Sequence, residues 1–185
     1  MDRTRKLDLA LEARELAAAA GEVPGVRLEE ETVRGLSLTR VQIETEQGAR
    51  ALGKPVGTYL TLDLPALPRD REEVLTTAEA VADLVRELIP ATGPALAVGL
   101  GNRRMTPDAL GPRTAEGMLV TRHLMDILPK AGLRPVSSFS PGVTGTTGME
   151  SGELIAAAAG KLAPACVIVQ MVQIRKNIKT GLFHL

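Results

Sequence analysis

The sequence is short of several things, and each shortage closes off a class of function. Among 185 residues there is one cysteine, Cys166, so no internal disulfide forms and an intracellular setting is expected. Cys166 stands in an apolar run and reads as a small core residue. Tryptophan is absent and aromatics make up only 2% of the chain, which leaves almost nothing for stacking on single-stranded bases. The 22 basic residues are balanced by 22 acidic ones, so no global field points to nucleic acid or an anionic membrane. The two histidines have no HExxH or paired spacing, and no metal is expected. No apolar run approaches transmembrane length, and Leu7–Leu16 carries too many charges for a signal peptide.

What is present suits an α/β domain. Asp8–Ala20 is rich in Ala, Leu and Glu and predicts a helix ended by Gly21. After a turn at Val23-Pro24-Gly25, Leu36–Thr45 and Thr58–Leu64 read as strands, with loop chemistry at Gly53–Gly57 between them. Arg71–Ile89 has helical spacing, with Val74, Ala78, Val81, Val85 and Leu88 on one face. Strand–loop–helix units then follow. Ala95–Val98 is a short apolar strand, and Pro112 begins a helix predicted to run to about Leu128. Pro135–Phe139 is a strand, Ser140–Gly148 a Gly/Thr-rich loop, Glu150–Leu162 a helix and Ala165–Val172 a further apolar strand. Alternation of this kind argues for a mainly parallel sheet.

The stretch from Pro94 to Pro112, PALAVGLGNRRMTPDALGP, organises the rest. Gly99, Gly101 and Asn102 permit a sharp turn after the strand, and Asp108 is held in the loop before the next helix. Ligands of open α/β sheets bind at the carboxyl ends of strands, so a site is expected there. Gly99-Leu100-Gly101 is not a dinucleotide fingerprint, because Arg104 stands where its third glycine belongs. The loop Gly142–Gly148 lacks the Gly-Lys-Ser/Thr ending of a P-loop, although its amides, including those near Gly145 and Gly148, could face a carbonyl or an oxyanion. By pattern alone Asp108 reads as a cap of the turn or the following helix ahead of a catalyst, Glu150 as a dipole-matched helix start, and His123 as an ordinary helical residue.

VGLGN, TPDALGP and Thr121-Arg122-His123, taken with LDLALEARE (Leu7–Glu15), GKPVGTYLTLD (Gly53–Asp63) and PGVTGTTGMES (Pro141–Ser151), closely resemble the germination protease family in its own order. The resemblance covers Leu7 to about Val169, roughly the first half of a typical member. It implies a three-layer α/β domain with a mainly parallel sheet, a fold shared with hydrogenase-maturation endopeptidases. Residues 1–65 would be an N-terminal αβ extension, 66–172 the strand–helix core and 173–185 a divergent tail. The implied activity is an aspartic-type endopeptidase without cofactor. It would act in the cytoplasm of the spore core on small acid-soluble, DNA-binding spore proteins and cut next to Glu, with no direct contact to nucleic acid or membrane.

Complete members are homo-oligomers made as zymogens; only Met1–Lys6 precede the matching block, so a full prosegment is not expected. The resemblance makes Asp108 one of two catalytic carboxylates. Gly101, Asn102, Gly145, Gly148, Glu150 and His123 are the further candidates for binding substrate or an oxyanion. The family's second carboxylate falls, on ungapped continuation, at Met171. Two other readings follow: an inactive fragment or binding module that keeps the fold, and a metal-dependent maturation-type endopeptidase.

Overall fold

The computed structural model describes residues 23–64, 70–127 and 132–171. The helix expected at Asp8–Ala20 and the tail expected at 173–185 lie outside them. The chain divides into two compact units that meet, along the sequence, at Ala82–Asp83.

The first unit is an antiparallel sheet in the order β1 (Val26–Val33), β2 (Leu36–Ile43), β3 (Gly57–Leu62), with a short helix α1 (Glu46–Leu52). Arg34 and Gly35 both have positive φ, 51° and 81°, the two-residue turn that matches the right-handed twist of a hairpin. The register sets Leu28, Val41 and Tyr59 in one row and Val26 opposite Ile43. Ala49 and Leu52 of α1 pack with this row. The Thr45 hydroxyl caps α1 by accepting from the Gly48 N–H at 3.1 Å. On the other face of β2, Leu38 is wholly buried. Neither β1 nor α1 was expected from the sequence. Three consecutive glutamates, Glu29–Glu31, hide the alternation of β1, and α1 has seven residues, too few for a helical period to show.

Helix α2 (Arg71–Leu88) forms where its periodicity predicts, but its packing face is rotated. Ala80 and Leu84 are its buried residues, whereas Val74, Ala78 and Leu88 of the expected seam are exposed.

The second unit is a parallel sheet in the order β5–β4–β6, built from β4 (Ala95–Gly99), β5 (Val136–Phe139) and β6 (Cys166–Gln170). Every residue of the central strand is buried. Helix α3 (Leu110–Gly117) packs on β4 and β5; a single turn, α4 (Thr144–Thr147), precedes α5 (Ser151–Leu162), which reaches β4. Among the described residues the fold is therefore α/β as expected, with the parallel strands in this sheet and the N-terminal strands in a separate antiparallel one.

Two local expectations fail here. The helix after Pro112 stops at Gly117 instead of running to Leu128. Met118 turns to extended backbone, and Thr121 pairs with the outer edge of β5: its N–H donates to Val136 O at 3.0 Å and its hydroxyl accepts from the Val136 N–H at 2.9 Å. Gly117 and the β-branched Val120 and Thr121 favour that break. Cys166 is only partly buried, with its sulfur 3.2 Å from the Arg134 guanidinium, which also donates to the Gly93 and Pro90 carbonyls after α2. Helix α5 forms as expected, with Glu150 as its N-cap and Leu162 as its last residue. No helix of the described residues is long and apolar enough to cross a membrane.

Candidate active site

The loop between β4 and α3 is fixed by close backbone contacts. A Cβ on Gly99 would collide with the Gly111 carbonyl, and one on Gly111 with the Leu100 carbonyl, so both must be glycine for α3 to lie on the strand end. Leu100 N–H donates to Gln170 O at 2.8 Å, which ties the start of this loop to the end of β6. The Ser140 hydroxyl donates to Gly99 O at 2.8 Å and brings in the loop after β5. All three parallel strands thus deliver their carboxyl ends to one place.

Asp108 closes the loop. It ends a single 3-10 turn (Thr106–Asp108) with Pro107 at its start, and the half-buried carboxylate accepts from the Asn102 N–H at 2.6 Å. Gly101, with φ 132°, passes so close to Asp108 that any side chain there would strike its backbone carbonyl. The residue at the N-cap of α3 is Ala109, so Asp108 holds the loop rather than capping the helix. Charge-assisted bonds of this kind are short and roughly twice as strong as neutral ones.

Beside the loop lies a cleft of about 570 Å³, lined by Gly101, Asn102, Arg103, Arg104, Pro112 and Glu116 on one side and residues 140–143 with Thr146 on the other. Asp108 sits behind the Gly101–Asn102 lip and is not itself part of the lining. The Arg103 guanidinium meets the Glu116 carboxylate at 2.7 Å across the loop–helix junction. That hydrogen bond holds the Glu116 carboxyl below the usual carboxylate range and raises Arg103 further.

The other expected residues divide. Gly101 and Asn102 reach the cleft. Gly145 lies exposed in α4, and Gly148 ends that turn in the left-handed conformation, so neither lines the cleft. Glu150 is the N-cap of α5, where its N–H donates to the Glu153 carboxylate at 3.4 Å in a capping box, the helix-start role that its position predicts. His123 is exposed in a separate 3-10 turn (Arg122–Leu124) and is not in the continuous helix expected. Of Thr121-Arg122-His123 it is Thr121 that is buried, pinning β5. Met171 follows Gln170 at the end of β6, the same end of the sheet as the Asp108 loop. Among the described residues, no group of three or more His, Cys, Asp or Glu is placed to hold a metal ion.

Sequence reasoning passed over Arg103, Arg104, Glu116, Ser140 and Thr146 as site residues. The signal was two adjacent arginines directly after a strand-end Gly-x-Gly-Asn turn.

The motif blocks that build this loop are matched by a germination protease family profile over residues 4–179. The chain belongs to the germination protease family. The match continues past Val169, so the segment after β6, expected to diverge, lies partly within it. Similar proteins include the germination proteases of Caldanaerobacter subterraneus subsp. tengcongensis (44% identical over 169 residues) and Clostridium tetani (39% over 171). That of Priestia megaterium is 37% identical over 182 residues. Each alignment covers 88% of this chain but only 52%, 53% and 48% of the relative, so the chain spans about half the length of the curated relatives it matches.

Proposed function

We propose that this chain is the Asp108-bearing part of an endopeptidase that starts the degradation of small acid-soluble, DNA-binding spore proteins at germination, cutting them next to Glu. The observation that carries this reading is the Asp108 carboxylate, held by the Asn102 amide at the carboxyl end of the buried strand β4, beside a polar cleft. A carboxylate there can take a proton from water attacking a peptide carbonyl, in the aspartic manner. A second carboxyl group sharing that proton would serve as the acid toward the leaving amine. The end of β6 is the place for it, and Met171 stands there. A thioether neither accepts nor donates that proton. The chain as it stands is therefore read as keeping the fold and the cleft while lacking half of the acid pair.

The same reading takes in the family's three-layer domain with residues 1–65 as its extension, 66–172 as its core and 173–185 as a tail. It also takes in a zymogen stage, a homo-oligomer in complete relatives and a place in the cytoplasm of the spore core. Direct binding of nucleic acid, membrane or a cofactor has no part in it.

The test uses the Caldanaerobacter protein and a purified small acid-soluble spore protein, with products read by mass spectrometry. The unaltered enzyme is expected to cut beside Glu, and an Asn replacement at the position aligned with Asp108 is expected to stop cleavage. Full cleavage by that variant would leave Asp108 a loop clamp only.

A further inference from the structure

The cleft beside the Asp108 loop carries charge of a particular arrangement. Its lining holds two arginines and a single acid, Glu116, and is otherwise uncharged. Arg103 is engaged: its Nε donates to Glu116 at 2.7 Å. The Arg104 guanidinium has no ion-pair partner among the described residues; only its backbone N–H is used, donating to the Asn102 side-chain oxygen at 3.0 Å. The hydroxyls in the wall are already committed, Ser140 to Gly99 O and Thr146 to Val143 O. Arg104 is thus the strong donor left for a ligand, while the neighbouring pair shows a carboxylate already seated on a guanidinium in this wall. One free cation with no aromatic partner in the lining suits one carboxylate, and it falls short of the cation row that tracks a nucleic-acid backbone.

We propose that the cleft binds a peptide segment through an acidic side chain received by Arg104, and that Glu116 competes from within the chain for the adjacent Arg103. This deepens the endopeptidase reading and rests on it, since it names the residues that select the substrate's acidic position. Arg104 is a binding residue here. Glu116 is a brake: it neutralises Arg103 and lowers the positive potential that an incoming carboxylate meets.

Fluorescence anisotropy with the full 185-residue chain tests this, using a labelled short Ala/Ser/Gly peptide with one central Glu and its Gln counterpart as probes. The Glu peptide should bind at least several-fold more tightly than the Gln peptide. Arg104→Ala should weaken the Glu peptide about tenfold or more, as expected for a lost hydrogen bond to a charged group, and leave the Gln peptide unchanged. Arg104→Lys should recover part of the loss. Glu116→Gln should tighten the Glu peptide a few-fold. Both positions are exposed, so folding is expected to survive, and circular dichroism checks it.

Equal binding of the two peptides, equal weakening of both by Arg104→Ala, or weaker Glu-peptide binding in Glu116→Gln would overturn the proposal. So would displacement of the Glu peptide by a single-stranded oligonucleotide at lower concentration than by unlabelled peptide. The readout is binding. Charge-selective binding to this cleft would therefore stand even if the Caldanaerobacter enzyme's cleavage proved independent of the aligned aspartate, and the reverse pair of results would sink the cleft while sparing the endopeptidase.

Discussion

Two edge strands of this protein, β1 of the antiparallel sheet and β6 of the parallel one, are guarded in opposite ways. One of the two outer strands of the antiparallel sheet, β1, carries Arg27 and Glu29–Glu31, with Glu31 paired to Arg40 at 3.0 Å. Charges along an edge oppose its pairing with another strand. In the parallel sheet, β5 is covered on its outer side by Thr121, but β6 reads Cys-Val-Ile-Val-Gln, and no described strand pairs with its far side. Val167 is 40% exposed there. β1 is guarded by charge, while β6 presents an apolar edge that no described strand covers, at the end of the sheet that holds the candidate site.

That contrast can be broken most visibly in solution. The isolated chain is expected to self-associate through β6, with a sedimentation coefficient that rises with concentration, and Val167→Lys should return it to monomer. Glu30→Val on β1 should add association of its own. A wild-type chain that stays monomeric over a wide concentration range would show that the β6 edge is not exposed in the way its sequence implies.

Next in size is the central strand. Leu96 is 1% exposed in β4, and Leu96→Ala should cost about 2–5 kcal/mol in urea unfolding, by lost burial and the cavity left behind. A cost under about 1 kcal/mol would mean that the parallel unit does not depend on β4 as its core.

A smaller effect is expected at the loop. Asp108→Ala removes the acceptor of the Asn102 N–H and should cost about 1.5–3 kcal/mol, the worth of a hydrogen bond to a charged group. No change in stability would detach Asp108 from the loop and leave chemistry as its one role.

The smallest effect belongs to the Arg103–Glu116 pair. Because the folded Glu116 carboxyl lies below its ordinary value, the pair's contribution is present above the unfolded pKa and fades as pH falls through the folded one. Both groups are exposed, so Glu116→Gln should leave the melting temperature and its acid-side pH dependence almost unchanged. A clear flattening of that pH dependence would mark the pair as structural rather than as a modulator of the cleft.

How much of this was legible follows from the kind of signal each part carries. β4 is apolar throughout because parallel strands are covered on both faces, and a run such as Ala-Leu-Ala-Val stands out. The Asp108 loop announced itself by its glycines, whose need shows in the backbone collisions that a Cβ would create. β1 was hidden because three consecutive acids fall on both of its faces and erase the alternation, and its turn is Arg-Gly rather than Asn-Gly. The early end of α3 was missed because Met118-Leu119-Val120 continues an apolar pattern that in the structure is no longer helical, with Leu119 exposed. The cleft was missed because it joins Arg104 to Ser140 and Thr146, residues far apart in the chain that only the parallel pairing of β4 and β5 assembles.

The central claim is that this chain keeps one carboxylate at the end of β4 and has a thioether at the matching end of β6. Incubation of the purified 185-residue chain with a small acid-soluble spore protein, followed by mass spectrometry of the products, tests it most directly. No cleavage is expected, even where the substrate binds, and Met171→Asp alone should restore little. Cleavage beside glutamate by the unaltered chain, lost in Asp108→Asn, would contradict the claim and show that the second catalytic group lies elsewhere than position 171.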